Sequence, residues 1–532
     1  KTRLAFFLIN LALMLPLQAA SYPPTPRLSA EAVFLAGLMV LAGGLSAIKR
    51  RCLAVLVAVV VLAILLLKAA IASLRLTLDR PLNLALDWVL LSSVFDLSIG
   101  TFGNLAGTLL CLGGLAVILA VLWILFWSLA AISALAARWT RSAALSAGVG
   151  LVVLGSVLSI AIWPGWTKGN LAGIGNRALV EQARMAVRTY QQQQEFRLEM
   201  ARDDLRVDQR SLRGLAGIDV LLIFVESYGL DALQAEPFAS VIEPRLRGIE
   251  QDLDGAGIGM VSAWMESPTV GGQSWLAHAS VLSGLWVDNN AKYQAFAMGE
   301  RVSLIDLFEQ TGHRSVAVMP AIIWPWPEGE ALGYDKIYKA EDLNYRASPF
   351  NWVTMPDQFT LSAFERMERT AADASRSAVF AKIALISSHA PWTPIANLVD
   401  WSDIDEEGLV FDQMAKQGPS PAEVWSDPDL VRRHFADALD YVLAVIGSYA
   451  ERFVDDKTLV IVLGDHQPAP IVTGPGAKPL VPIHVFARDD TLLEPFVSSG
   501  YHEGLWPGEP DTRFPMSAFR NQLVDGFADL EG

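Results

Sequence analysis

The sequence predicts an N-terminal α-helical membrane domain of about five transmembrane helices, followed by an α/β domain with a doubly wound, mainly parallel sheet. Three observations lead there. Hydrophobic residues make up 52% of the 532 positions, more than a wholly water-soluble domain carries. Charge is divided unevenly: up to residue 165 there are four acidic residues, Glu31, Asp79, Asp87 and Asp96, against eleven Lys and Arg, leaving 52 acids and 30 bases for the rest. From residue 217 onward, short β-rich runs alternate with helical stretches. The expected division is 1–165 transmembrane, 166–212 linker helices and 213–532 an extracytoplasmic domain.

Apolar stretches long enough to span a membrane need about 20 residues. They occur near 4–20, 31–47, 52–74, 104–137 and 143–163. Lys49, Arg50 and Arg51 lie between the second and third, and Arg138 and Arg141 between the fourth and fifth. The positive-inside rule puts both short loops in the cytoplasm and everything after 165 outside. Segment 1–20 also fits a signal peptide, with Lys1 and Arg3 before an apolar core and a small-residue end at Gln18-Ala19-Ala20. Residues 75–103 read as an external connection, either a plain loop with a short amphipathic helix or a lipid-guiding element. Residues 176–206 are long, polar and free of Pro and Gly, so they read as an exposed linking helix.

The acidic soluble part argues against nucleic acid, because phosphate backbones are held by Lys and Arg stripes that this part lacks. Cys52 and Cys111 both sit in apolar runs, so the soluble part has no disulfide framework.

In the soluble part, 220–225 (VLLIFV), 315–319 (SVAVM), 381–386 (AKIALI), 458–463 (TLVIVL) and 482–487 (PIHVFA) read as strands covered on both faces. Segments 302–311, 360–375 and 431–453 have helical spacing. Such alternation favours a sheet with helices on both faces and ligands beyond the carboxyl ends of its strands. Three of these runs end in polar groups: Glu226-Ser227-Tyr228, Ser387-Ser388-His389-Ala390-Pro391-Trp392 and Gly464-Asp465-His466-Gln467. A lone strand-end carboxylate is commonly a helix cap. Two carboxylates and an imidazole at one edge, closed by a hydroxyl, instead suit a divalent cation with mixed oxygen and nitrogen donors.

This ordered set, with Gly272-Gln273-Ser274 opening a helix and Ser388-His389-Ala390-Pro391 further on, resembles lipoteichoic acid synthase and the periplasmic phosphoglycerol transferases. These belong to the sulfatase-like branch of the alkaline phosphatase superfamily. The resemblance covers roughly residues 215–490, and five helices before the domain also resemble that architecture. It implies that Glu226, Ser274, Asp465 and His466 hold one divalent ion, Mn²⁺ as the first expectation and Zn²⁺ or Mg²⁺ as alternatives. It also implies that Ser274 is the nucleophile and that His389 contacts the phosphate or protonates a leaving alkoxide. The implied place is a multi-pass protein of a bacterial cytoplasmic (inner) membrane, with its catalytic domain on the periplasmic or extracellular side. The implied reaction takes phosphoglycerol from phosphatidylglycerol to a glycan, glycolipid or lipid hydroxyl through a phosphoryl-serine. In the synthases a tryptophan lines the glycerol pocket. Trp324, in Trp324-Pro325-Trp326-Pro327, is the nearer match, but the arginine those enzymes carry two residues later is Trp326 here, which bears on the head group.

Phosphoethanolamine transfer, a phosphodiesterase using water, and a non-catalytic head-group-binding subunit are the competing readings. A sulfatase fits less well, since Ser274 is followed by Trp275-Leu276-Ala277-His278 and not by the x-Pro-x-Arg that accompanies formylglycine. His278 lies one helical turn from Ser274 and reads equally as a site residue or an ordinary half-buried histidine. His313 and His484 read as structural.

Overall fold

The computed structural model describes residues 2–18, 28–88, 90–161, 171–172, 175–203, 211–370, 376–510 and 513–528. The chain forms two compact units, one of residues 1–76 and 80–191, the other of 77–79 and 192–532.

The first unit is helical, with Thr2–Gln18, Ala30–Leu41, Ala47–Thr77, Leu90–Ala136 and Arg141–Ala161 as its apolar helices. Among the described residues, three segments are long and apolar enough to cross a membrane: Ala47–Thr77, Asn104–Ala136 and Arg141–Leu158. The two nearest the N-terminus are apolar but shorter. Small residues let backbones approach closely: a Cβ on Gly37 would lie 2.7 Å from the Val152 amide, and one on Gly155 2.6 Å from that of Phe34. The two-residue strands β1 (Leu28–Ser29) and β2 (Leu171–Ala172) pair in parallel. Residues 90–103, expected within a connecting segment, instead extend the fourth apolar helix toward its N-terminus. The linking helix runs Gly175–Ala201 and is not uniformly exposed. Gln182 is buried, donating to the Leu82 carbonyl at 2.7 Å, and Thr189 accepts from Asn83 at 2.6 Å. The small-residue end at Ala19-Ala20 lies outside the described residues.

The second unit is built on one sheet of β3 (Asp219–Val225), β4 (Gly259–Glu266), β5 (Arg314–Met319), β6 (Lys336–Lys339), β7 (Val379–Leu385), β8 (Thr458–Gly464), β9 (Leu480–Ala487), β10 (His502–Glu503) and β11 (Arg513–Pro515). Its order is β10-β4-β9-β8-β3-β7-β5-β6, with β11 beside β4. The five expected runs are all strands, but the sheet is mixed. β8-β3-β7-β5-β6 are mutually parallel, whereas β9 runs antiparallel to β8 and to β4. The apolar run 482–487 was expected to join a parallel array. Burial on both faces requires an apolar run in either direction, so composition does not specify direction.

Every residue of β3, β7, β8 and β9 is buried. On β3 alternate side chains serve two cores. Leu221, Ile223 and Val225 pack with helices Ala239–Gly255 and Pro428–Phe453, and Val220, Leu222 and Phe224 with Ser274–Ser283, Leu304–Gln310 and Phe519–Phe527. The helix expected over 360–375 runs as Asp357–Phe364 with one wider turn, Glu365–Arg369, after it.

At the amino end of β3, Asp219 accepts from Arg376 (2.6 and 2.9 Å), Arg369 (3.0 Å) and the Val379 amide (2.9 Å). Arg369 also meets Glu365 at 2.8 Å, and Glu365 accepts from the Tyr449 hydroxyl. Burial would raise the Asp219 carboxyl, but the Arg376 hydrogen bonds, the Val379 amide and the Arg369 charge carry it below its ordinary value. A depressed carboxyl adds stability above its unfolded pKa, about 4, that is lost as pH falls through the folded value. Asp219→Asn removes one of the two carboxylates that face buried Arg369, leaving Glu365, and is expected to destabilise the unit by about 1–3 kcal/mol. The check is the melting transition of the detergent-solubilised protein, followed by tryptophan fluorescence at pH 7; an unchanged transition contradicts it.

Candidate metal and active site

The site follows from strand register. Val225 is opposite Gly464 on β8 and Leu385 on β7, so three parallel strands finish side by side. The ladder continues one step further, with the Asp465 amide donating to the Val225 carbonyl (3.1 Å) and the Glu226 amide to that of Leu385 (3.2 Å). Gly464 is required at this point, because a Cβ there would lie 1.8 Å from the Tyr228 carbonyl oxygen.

Ser274 arrives from further away. β4 and β8 flank β9 and both oppose it, so β4 also ends at this edge. From there the chain is tied back: Ser267 Oγ donates to the Asp465 carbonyl (2.6 Å), and the Gly271 amide to that of Gln467 (2.8 Å). Gly271 and Gly272 take φ of 74° and 145°, open to glycine at little cost. Helix Ser274–Ser283 then begins without a side-chain cap. The Ser274 hydroxyl does not serve the helix: Oγ donates to Glu226 Oε2 at 3.1 Å and lies 3.3 Å from His466 Nε2.

Ligand atoms of Glu226, Asp465 and His466 all fall within 4.8 Å of one another. Their remaining positions are occupied by neighbours. Asp465 Oδ1 accepts from the Ser227 (2.8 Å) and His466 (2.6 Å) amides. His466 Nδ1 faces the Gln467 carbonyl at 2.8 Å, so it carries a proton and turns Nε2 toward the carboxylates; despite its burial, Asp465 and Glu226 hold the imidazole above its ordinary value, and a bound cation would take the place of the Nε2 proton. Electrostatics tell the same story. Burial and the Glu226 charge push Asp465 up to about 7. Glu226, despite its burial, is held below its ordinary value by His466 and His389. Two carboxylates, one imidazole nitrogen and a hydroxyl, crowded where their charges repel, fit a single divalent cation at ligand distances of about 2.0–2.2 Å.

His389 is exposed beside this cluster, and its loop is fixed from below. Ser388 Oγ donates to the Glu226 carbonyl (2.6 Å). Buried Asp357 accepts from the Ile386 (2.7 Å) and Ser387 (3.0 Å) amides. His389 Nδ1 faces the Ala390 carbonyl at 2.6 Å, which leaves Nε2 for another partner.

A cavity of about 380 Å³ opens on the cluster, lined by Glu226, Ser274, Asp465 and His389 and walled by Trp275, Tyr293 and Trp326. Trp324 is 69% exposed and is not part of this lining; Trp326 is, with its indole N–H donating to Tyr293 at 2.9 Å. His278 lines the cavity too. His313, between Thr311 and the Ile218 carbonyl, and His484, between Ser262 and Tyr228, are satisfied structural histidines. Lys382 and Asp357 went unrecognised in the sequence. Lys382 had a signal: it interrupts AKIALI, a run with no exposed face to carry a charge.

No protein-family model matches the chain, and no curated protein matches it. Among solved structures, the chain is similar to the lipoteichoic acid synthase LtaP from Listeria monocytogenes, at 13% identity over 58% of this chain and 71% of that one, with a TM-score of 0.37. It is also similar to the Streptococcus pyogenes phosphoglycerol transferase GacH in complex with sn-glycerol-1-phosphate (14%, 63% and 79%, 0.38). A third is the C-terminal periplasmic domain of EcEptC from Escherichia coli (11%, 59% and 82%, 0.39).

Proposed function

We propose that the protein is a membrane-anchored, metal-dependent phosphotransferase that moves phosphoglycerol from phosphatidylglycerol to a glycan, glycolipid or lipid hydroxyl outside the cytoplasmic membrane. The observation that carries this reading is the Ser274 hydroxyl, held 3.1 Å from Glu226 and 3.3 Å from His466 although 48 and 192 residues separate them in the chain. Five spans, with the loops at Lys49–Arg51 and Arg138–Arg141 in the cytoplasm, would put the α/β unit on the lipid's outer leaflet side.

Glu226, Asp465, His466 and Ser274 Oγ would hold the ion, Mn²⁺ by expectation, which when bound lowers the cost of an alkoxide and of charge on the phosphoryl oxygens. Ser274 Oγ attacks phosphorus while its proton has an acceptor in Glu226 Oε2. The bond from phosphorus to the diacylglycerol oxygen breaks, and His389 Nε2 delivers a proton to that oxygen. An acceptor hydroxyl, giving its proton to His389 Nε2, then attacks phosphorus; the bond from phosphorus to Ser274 Oγ breaks, and that oxygen takes back the proton held by Glu226. The half-enclosed cavity keeps the head group in line.

Three outcomes are expected of the full-length protein. It binds one equivalent of Mn²⁺ by calorimetry, and Asp465→Ala weakens that binding by about 10–100-fold or more. With head-group-labelled phosphatidylglycerol, wild type forms a covalent labelled enzyme and releases diacylglycerol, while Ser274→Ala forms none and keeps the wild-type melting transition. His389→Ala slows release by about 10²–10⁴-fold with metal content unchanged. Preferential turnover of phosphatidylethanolamine redirects the assignment to that head group, release to water alone makes the protein a hydrolase, and turnover of neither lipid removes the proposal.

A further inference from the structure

The cavity has a second polar end that the chemistry above does not use. Lys382 projects from the middle of β7, is 2% exposed, and lines the cavity. Its Nζ lies 3.2 Å from Met319 Sδ and 5.4 Å from the Trp326 ring centroid. Among the described residues no carboxylate forms an ion pair with it. Burial without a counter-charge is costly and pulls the Lys382 ammonium down to about 7. Close by, His278 is 6% exposed, lies within electrostatic reach of Lys382, and packs against Phe224 with centroids 4.0 Å apart and the rings tilted by 43°. Among the described residues its Nε2 has no hydrogen-bond partner. Glu328, half-buried, is the one lining carboxylate outside the metal cluster.

We propose that Lys382 and His278 form the head-group subsite of this cavity, hydrogen-bonding the hydroxyls of a neutral polyol such as glycerol and disfavouring a cationic head group such as ethanolamine. The inference rests on the phosphotransferase reading and names what that site selects. A polyol suits both groups: its oxygens are better acceptors for Nζ than the thioether of Met319, and a hydroxyl pairs with Nε2 in either tautomer. It also needs no charge desolvated beyond the one already buried. An ammonium offers no acceptor to Lys382 and meets a like charge in a site of low dielectric. The aromatic face it would otherwise use, Trp326, already has Lys382 over it.

The test is binding of three probes to the Mn²⁺-loaded full-length protein by calorimetry: glycerol 1-phosphate, O-phosphoethanolamine and inorganic phosphate. Wild type should bind glycerol 1-phosphate at least about tenfold tighter than O-phosphoethanolamine. Lys382→Met, which fills the same space without charge, should erase that preference and leave inorganic phosphate binding unchanged. Lys382→Gln, which keeps a donor but loses the charge, should retain glycerol 1-phosphate and gain O-phosphoethanolamine. Equal affinities in wild type, or a preference that survives Lys382→Met in protein with a wild-type melting transition, overturn the subsite alone. Absence of metal-dependent inorganic phosphate binding overturns the phosphotransferase reading, and the subsite with it.

Discussion

The finish of β8, β3 and β7 in register is the constraint on which the site depends. Parallel ladders of this kind admit no slip, because moving one strand by a residue would turn its buried side chains to the wrong face. Once Val225 is set against Gly464 and Leu385, Glu226 and Asp465 must lie next to each other at the edge. The backbone thus imposes two neighbouring carboxylates that would otherwise repel. The crowding is tolerable because amides hold one oxygen of Asp465, and because the His466 imidazole, its direction fixed by its other nitrogen, faces both acids. What is left over at the centre is a convergent set of donor atoms that a divalent cation would neutralise.

The same sheet that displays donors at its edge inserts a cation through its interior. Lys382 is three positions before the end of β7, on the same strand that leads to His389. One strand therefore contributes to both ends of the cavity, and the separation between phosphate chemistry and head-group recognition is set by strand geometry. Such an arrangement needs a rigid support. Asp357 supplies it beneath the His389 loop, taking two amides that would be orphaned beyond the strand end, with its own carboxyl pushed up to about 7 by burial. At the far end of β3, the Asp219 cluster ties the strands that begin the ladder. Charge is buried at both ends of the central strand, satisfied at one and poised at the other.

Much of this was readable from residues alone. Five strands were identifiable because burial on both faces demands a locally apolar run, and the acids and imidazoles that follow those runs named Glu226, His389, Asp465 and His466. The apolar N-terminal segments were equally plain, since a hydrocarbon environment imposes composition directly. β4 was missed because it carries Ser262 and ends in Glu266, so its sequence lacks the uniform apolar character of the other strands; Ser262 is buried only because it bonds His484 and the Gly504 carbonyl.

By itself, then, the sequence determined where the five uniformly buried runs lie and which groups stand at the ends of three of them, since both follow from demands each residue meets locally. Tertiary structure alone decided the antiparallel course of β9, the return of Ser274 to the Asp-His pair, the exchange of Trp324 for Trp326 in the cavity wall, and the burial of Lys382 against Trp326. Each of those depends on partners remote in the chain. Pairing direction and the surroundings of a single polar side chain are properties of the assembled packing, and no local pattern of residues encodes them.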